Sequence, residues 1–308
     1  MTHGTARAGL DALPTGSTEA EIASQPACWR RAAELAPQVA SVLPGPGERV
    51  AVVGCGTSWF IAQSFAAARE AAGQGETDAF AASEMPLTRR YDRVVVLSRS
   101  GTTTEILRLL AELAGTVPTV LITADPATPA ASAAGAVIGL DFADEQSVVQ
   151  TRFATTELAL LLAHLGEDIG PMAAAADRVL AAELPAKLLD AAQFTFLGTG
   201  WTYGLASEAA LKLREAAGFW TEAYPAMEYR HGPIAVTGPG SVVWLLSPAP
   251  EGLADEIAAT GGRAWQSQEP PLAELVRVHR VAAALARARG LDPDRPRNLT
   301  RSVILLPR

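Results

Sequence analysis

One local pattern occurs twice in this 308-residue chain and limits the folds open to it. Residues 49–56, RVAVVGCG, form an apolar run closing on Gly-x-Gly, and TSWFIAQSFAAAREAAG follows as a helix that stops at Gly73. Residues 193–218, QFTFLGTGWTYGLASEAALKLREAAG, repeat the pattern, with the second helix stopping at Gly218. An apolar run without alternation reads as a strand buried on both faces, which calls for a parallel sheet covered by helices. DAFAASEM, RVVVLSRSG, TVLITAD and AVIGLDF read as further strands of the first unit, and SVVWLLS as one of the second. EILRLLAELAG, TTELALLLAHLG and residues 272–289 read as helices. The expected fold class is therefore α/β: two units, each a parallel sheet flanked by helices, flavodoxin-like or Rossmann-like, with right-handed crossovers. Residues 1–28 read as an N-terminal leader, 29–175 as the first unit and 190–308 as the second, separated by a polar, Ala-rich stretch. Two units fit this length better than one oversized sheet.

Composition removes several classes of function. Apolar residues make up 49% and charged residues 19%, which is globular rather than disordered. The formal net charge is -8, and no basic stripe runs along the chain, so a nucleic-acid partner is not expected. No run of 18 apolar residues predicts a membrane span, and MTHGTARAGLDALPTGS lacks the basic start and apolar core of a signal peptide. The expectation is a cytoplasmic protein with Cys28 and Cys55 reduced, and no metal or cofactor.

In open parallel sheets, ligands sit beyond the carboxyl ends of the strands, where helix N-termini favour anions. Two loops there carry hydroxyls: Gly54-Cys55-Gly56-Thr57-Ser58, and Ser98-Arg99-Ser100-Gly101-Thr102-Thr103-Thr104. For the first loop alone, ordinary helix capping is the favoured reading. The second has more hydroxyls than one cap needs, and Arg99 offers a bidentate anion partner. Neither loop has a lysine or the full G-x-G-x-x-G fingerprint, so a small phosphate ester fits better than a nucleotide. Glu208, Lys212 and Glu215 fall at i, i+4 and i+7, on one helical face. That stripe is either a solvated run of ion pairs or the polar lining of a cleft. Lys212 and Lys187 are the only lysines, which favours the cleft. Removing a proton beside a carbonyl needs a positioned carboxylate, and Glu215 is the candidate. His231 precedes Gly-Pro, a turn that presents an imidazole, whereas His3, His164 and His279 read as surface or filler residues.

GCGTS, SRSGTTTE and SEAALKLREAAGFWTEAYPAMEYRHGP together resemble the sugar isomerase (SIS) domains, above all the isomerase half of glucosamine 6-phosphate synthase. The segments EIASQPACWRR and DPDRPRNLTRSV extend that similarity over almost the whole chain. The resemblance implies two SIS-type units. It implies a hexose 6-phosphate held at Gly56, Thr57, Ser58, Ser98, Arg99, Ser100 and Thr103. It makes Glu215 the base that carries a proton between carbons 1 and 2, with Glu208 and Lys212 in the same site. It further implies that His231 opens the sugar ring in a neighbouring subunit's site, and hence a homodimer. Glu145, Val148 and Thr151 match sugar-binding positions.

Three departures accompany it. Arg99 replaces a usual Gln, Gln150 a usual Ser, and Arg301 the tail lysine that forms a Schiff base; a guanidinium cannot form that imine. A glutaminase domain with its cysteine is not expected. The resulting expectation is an isomerase or deaminase acting on glucosamine 6-phosphate. The alternatives are a dehydratase or lyase that eliminates the carbon 3 group of N-acetylglucosamine 6-phosphate, and a non-catalytic sugar-phosphate sensor. A sensor needs neither Glu215 nor His231, and residues 1–25 are too short for a DNA-binding helix-turn-helix.

Overall fold

The computed structural model describes residues 17–305. Its first half runs α1 (Ser17–Val39), β1 (Val50–Gly54), α2 (Thr57–Ala71), β2 (Thr77–Ala81), β3 (Arg93–Leu97) and α3 (Thr104–Leu113). β4 (Thr119–Thr123), α4 (Pro129–Ala133), β5 (Ala136–Gly139) and α5 (Arg152–His164) complete that half. α6 (Ile169–Ala181) and α7 (Ala186–Leu189) lead to β6 (Gln193–Gly198), α8 (Thr202–Ala217), β7 (Thr221–Pro225) and β8 (Ser241–Leu245). α9 (Leu253–Ala259), β9 (Arg263–Gln266) and α10 (Pro271–Ala288) follow.

Both sheets are wholly parallel. The first has order β2-β1-β3-β4-β5 and the second β7-β6-β8-β9, so each repeated strand–Gly-x-Gly–helix unit sits at the same place in its sheet. β1, β4 and β8 are buried at every residue, as their unbroken apolar runs require. The two units share one core: Val50, Val52 and Ile61 of the first lie in the same cluster as Phe194, Phe196 and Trp244 of the second. Smaller clusters cover the outer face of each sheet, one around Val94, Val96 and Leu110, the other around Tyr229, Val243 and Ile257.

The chain's front end departs from the expected leader. Residue 28 lies inside α1, whose Ile22, Trp29, Ala32 and Ala36 are buried against α5 and α6. An amphipathic stripe interrupted by Pro26 and Pro37 hid this 23-residue helix from periodicity. The Ala-rich stretch between the units is likewise partly helical, as α6, with Ala173, Ala175, Ala176 and Val179 buried. No helix among the described residues is long and apolar enough to cross a membrane.

The contact between α2 and α8 sets the site. A Cβ at Gly204 would lie 2.3 Å from Ser64 Oγ and 2.4 Å from the Phe60 carbonyl oxygen, so only glycine lets the two helices pack this closely. That approach carries the polar face of α8 to the N-terminus of α2.

Candidate active site

The α8 stripe is buried, not solvated. Glu208 and Lys212 have side chains 0% and 1% exposed, and Glu215, in the last turn, is 20% exposed. The Lys212 ammonium donates to Glu215 Oε2 at 2.6 Å and to Thr57 Oγ1 at 2.8 Å, and stands 3.6 Å from Glu208 Oε1. One cation therefore joins the first hydroxyl of α2 to the candidate base on α8. Burial draws the Lys212 pKa down, but Glu208 and Glu215 outweigh it and leave the group above its ordinary value. Burial, with some repulsion from Glu215, pushes Glu208 up to about 8 despite Lys212. Neither Glu208 oxygen has a hydrogen-bond partner in the protein. Glu157 of α5 is also buried without one, and burial raises its pKa well above the ordinary carboxylate range.

The hydroxyl loops do not cap their helices through side chains. Gly56 and Thr103 are the N-cap residues of α2 and α3, and neither helix start takes a side-chain cap bond. Thr57 and Ser58 lie buried in the first turn of α2. In the second loop, Ser98 Oγ accepts from the Gly101 N–H at 3.2 Å and Ser100 Oγ from the Thr102 N–H at 3.3 Å, curling the backbone into a cradle. Gly101 has φ 58°, and a Cβ there would meet Thr128 Oγ1 at 2.0 Å. The hydroxyls of Ser100, Thr102 and Thr103 converge on Ser302 Oγ at 3.2, 3.0 and 3.3 Å. The Thr104 N–H, at the start of α3, donates to the Val303 carbonyl at 3.1 Å. Three converging hydroxyls and a helix N-terminus form an anion-binding geometry, here covered by the C-terminal tail.

A SIS domain model matches residues 46–165, which include both hydroxyl loops. Residues 46–165 of this chain carry a SIS domain. Its curated relatives include glutamine–fructose-6-phosphate aminotransferase (isomerizing) of Gloeobacter violaceus, 30% identical over 83% of this chain and 52% of that protein. The same enzyme of Sulfurisphaera tokodaii is 27% identical over 83% of this chain and 50% of that one. The chain thus spans about half the length of the curated relatives it matches. Among solved structures, glucosamine-6-phosphate deaminase of Thermotoga maritima superposes with a TM-score of 0.79 at 24% identity, covering 94% of this chain and all of that one. The C-terminal domain of glucosamine-fructose-6-phosphate aminotransferase of Francisella tularensis gives 0.76 at 20%, with the same coverage. These superpositions confirm the two-sheet α/β fold of SIS phosphosugar isomerases.

Several expected SIS site residues lie elsewhere than the motif implies. Arg99 does not turn into the cradle. Its buried guanidinium donates to the carbonyls of Ser147, Val148 and Arg301 at 3.0, 3.2 and 3.2 Å, and lies 3.6 Å from Glu145. Its charge is met there, so it ties the 145–148 loop to the tail. Glu145 Oε1 accepts from the N–H groups of Thr151 and Arg152 at 2.6 and 2.8 Å, capping α5. Val148 is held through its backbone, between Asp294 and Arg99. Gln150 keeps a buried amide oxygen without a protein partner, as Glu145 does at Oε2, but Glu145 Oε2 faces Arg99 at 3.6 Å, which leaves Gln150 the freer of the two for a ligand. Arg301 pairs with the Asp144 carboxylate and the Glu145 carbonyl.

His231 is exposed and sits just beyond β7, at the end of the second sheet where α8 begins; the Ala226 N–H bonds the Gly198 carbonyl there. Glu215 lies in the last turn of α8, roughly 20 Å along the helix from its start at 1.5 Å per residue. No hydrogen bond or ion pair joins His231 to Glu215 among the described residues.

Sequence reasoning missed Ser302, Glu157, Gln25 and His279. Ser302 lay beside Arg301 in a motif read for its basic residue. Glu157 carried a signal, as a charge in the otherwise apolar TTELALLLAHLG. His279 carried none: among Val, Arg and Ala it resembles a filler residue.

Proposed function

We propose that this SIS protein is an enzyme that holds the phosphate of a 2-amino- or 2-acetamido-hexose 6-phosphate in the Ser98–Thr104 cradle and removes the carbon 2 proton with Glu215. The supporting observation is the Lys212 ammonium, bonded at once to Thr57 at the anion-binding edge and to Glu215. With glucosamine 6-phosphate in its open form, Glu215 takes the proton from carbon 2 and the electron pair moves towards the carbonyl oxygen, giving an enaminol. The proton returns to carbon 1, leaving an imine at carbon 2 that water hydrolyses to fructose 6-phosphate and ammonia. A carboxylate paired with a buried ammonium suits this transfer.

A second reading, elimination at carbon 3, is supported by Glu208. A buried carboxyl with its pKa near 8 is protonated at neutral pH and stands on the same face as the base. Such a pair, one acid and one base, can expel a hydroxyl as water once the carbon 2 proton is gone. An acetylated nitrogen, being a poor leaving group from an imine, favours that exit.

The working unit is a homodimer in which His231 reaches the partner copy's site and opens the sugar ring. The separation of His231 from Glu215 along α8 supports this, as do Trp220, 82% exposed, and the exposed Met227 and Val236 around the His231 segment. Incubation with glucosamine 6-phosphate and, separately, its N-acetyl form in deuterated water, followed by NMR, tests the reaction. Deuterium in the sugar with ammonia release is the expected outcome for the first substrate, and Glu215→Gln abolishes it while phosphosugar binding persists. An unsaturated sugar from the N-acetyl form establishes the second reading. Neither exchange nor product from either compound rejects both.

A further inference from the structure

We infer that His279 of α10 is a positioning residue for the Glu208–Lys212–Glu215 face, locked in its Nε2–H form by Gln25 of α1; its link to turnover rests on the function proposed above. The lock follows from a buried chain of hydrogen bonds. Trp29 Nε1 donates to Thr155 Oγ1 at 2.9 Å, and Thr155 Oγ1 donates to Gln25 Oε1 at 2.8 Å. Gln25 Nε2 then faces the Ile22 carbonyl and His279 Nδ1, each at 3.2 Å. The opposite amide orientation would set Gln25 Oε1 against the Ile22 carbonyl, two acceptors with no proton between them. An amide nitrogen only donates, so His279 Nδ1 is the bare nitrogen and the ring proton sits on Nε2. Nε2 faces Glu208 Oε1 across 3.8 Å, just beyond hydrogen-bond distance; that oxygen also stands 3.6 Å from Lys212 Nζ, and neither Nε2 nor Oε1 has a hydrogen-bond partner in the protein.

Every charged group around the ring bears on its role. Glu208 and Lys212 face it from α8, and Glu145 from the segment before α5; Glu157 of α5 and Glu215 of α8 act on Glu208 in turn. Burial, reinforced by Lys212, holds the imidazole down to about 3, so it is neutral wherever the enzyme works. A neutral donor is what this place needs. Glu208 and Glu215 compete for one ammonium, and Lys212 sits at 2.6 Å from Glu215 against 3.6 Å from Glu208. An N–H on the far side of Glu208 supports its carboxyl without adding a second cation that would draw Glu215 from its station. α1, which carries no residue of the hydroxyl cradle, thereby governs the acid–base face through Gln25.

The test needs no substrate for its first half. The chain has four histidines, His3, His164, His231 and His279, so a 15N-histidine-labelled protein gives few imidazole signals, and loss of one set in His279→Gln assigns it. The expected result is a neutral Nε2–H pattern for His279, unchanged between pH 5 and 9, that becomes a tautomer mixture in Gln25→Leu. An Nδ1–H pattern, or a ring that titrates in this range, overturns the inference. The second half reads the Glu208 carboxyl band by infrared difference against Glu208→Gln, alongside the pH profile of carbon 2 exchange. His279→Leu moves the Glu208 midpoint up, because the N–H dipole facing the charged form is gone, and lowers kcat severalfold with KM little changed. His279→Gln, whose amide can donate, restores most of both. An unmoved midpoint in folded His279→Leu overturns the positioning role. Absence of exchange in the unaltered protein counts against the proposed function alone, since the tautomer and the infrared midpoint are read without it.

Discussion

The two strand–Gly-x-Gly–helix units share an architecture and differ in what they do with it. Each central strand ends on Gly-x-Gly and feeds a helix in the same position of a sheet with the same order. In the first unit, the Thr57 hydroxyl is given to Lys212 of the other unit. In the second, the Thr202 hydroxyl turns back on its own loop, accepting from the Thr199 N–H at 2.8 Å and donating to the Thr199 carbonyl at 2.9 Å. The next loops diverge as well. After β3 comes a run of hydroxyls around Gly101; after β8 comes Ser247-Pro248-Ala249-Pro250, whose prolines have no N–H to offer an anion. Repeating the fold therefore did not repeat the hydroxyl loop. The first unit supplies an uncharged hydroxyl loop, and the second supplies the charged face of Glu208, Lys212 and Glu215 on α8.

The largest expected effect follows from that division: the α8 face of the second unit carries a pH dependence that the hydroxyl loop does not. Glu208 has a folded-state pKa near 8 against an ordinary value of 4.5, so the folded protein holds a proton that the unfolded chain has released. Its contribution to stability is complete below about pH 4.5 and is lost as pH rises to about 8, at up to about 1.4 kcal/mol per pH unit. Glu157 acts in the same direction. His279 acts oppositely: held down to about 3 from 6.5, its contribution is complete above about pH 6.5 and is lost as pH falls towards 3. In thermal melts across pH 4–9, the unaltered protein loses Tm relative to Glu208→Gln between about pH 4.5 and 8, with a level difference above. A pH-independent difference would show that Glu208 titrates normally and that the division of labour is mistaken.

The next effect sets the two threonines against each other. Thr57→Val keeps the shape but removes the hydroxyl that anchors Lys212. A hydrogen bond to a charged group is worth about 1.5–3 kcal/mol of stability, so melting falls accordingly, and freeing Lys212 from its place beside Glu215 lowers activity on the phosphosugar about tenfold or more. Thr202→Val removes a local turn bond, costing about 1 kcal/mol of stability and leaving activity within about twofold. Steady-state rates and melts on both variants check this. If the two losses of activity are alike, the units are not specialised as described.

How much of this was readable in advance depended on whether the signal was local. Strand–Gly-x-Gly–helix units announce themselves by apolar runs and a turn, and both appear where the pattern placed them. The Glu208, Lys212 and Glu215 face was readable because helical spacing is a local rule; that it is buried was not, since that depends on Gly204 admitting α2. Arg99 and Glu145 carried the right chemistry for a ligand, but their partners lie 48 and 6 residues away, and those contacts consume them. The Gln25–His279 contact spans 254 residues and joins two helices whose spacing shows nothing polar to explain. Long-range satisfaction of buried groups is a property of the packed chain, and no window of sequence displays it.

The smallest effect concerns the tail. Ser302 Oγ meets the three cradle hydroxyls, and the Val303 carbonyl takes the Thr104 N–H, the same donors that an incoming phosphate would use. On the function proposed above, a phosphate, which carries more charge than a serine hydroxyl, must replace those contacts to enter. Ser302→Ala removes the hydroxyl half of the competition, so calorimetric titration with inorganic phosphate should show affinity rising about threefold, the scale of one neutral hydrogen bond. Ser247→Ala, at the corresponding loop of the second unit, should leave affinity unchanged, since that serine bonds only Thr199 at 3.3 Å. Weaker binding in Ser302→Ala would make the tail a wall of the cradle instead of its competitor, and the anion site would then be built from both ends of the chain's sequence order, loop and tail together.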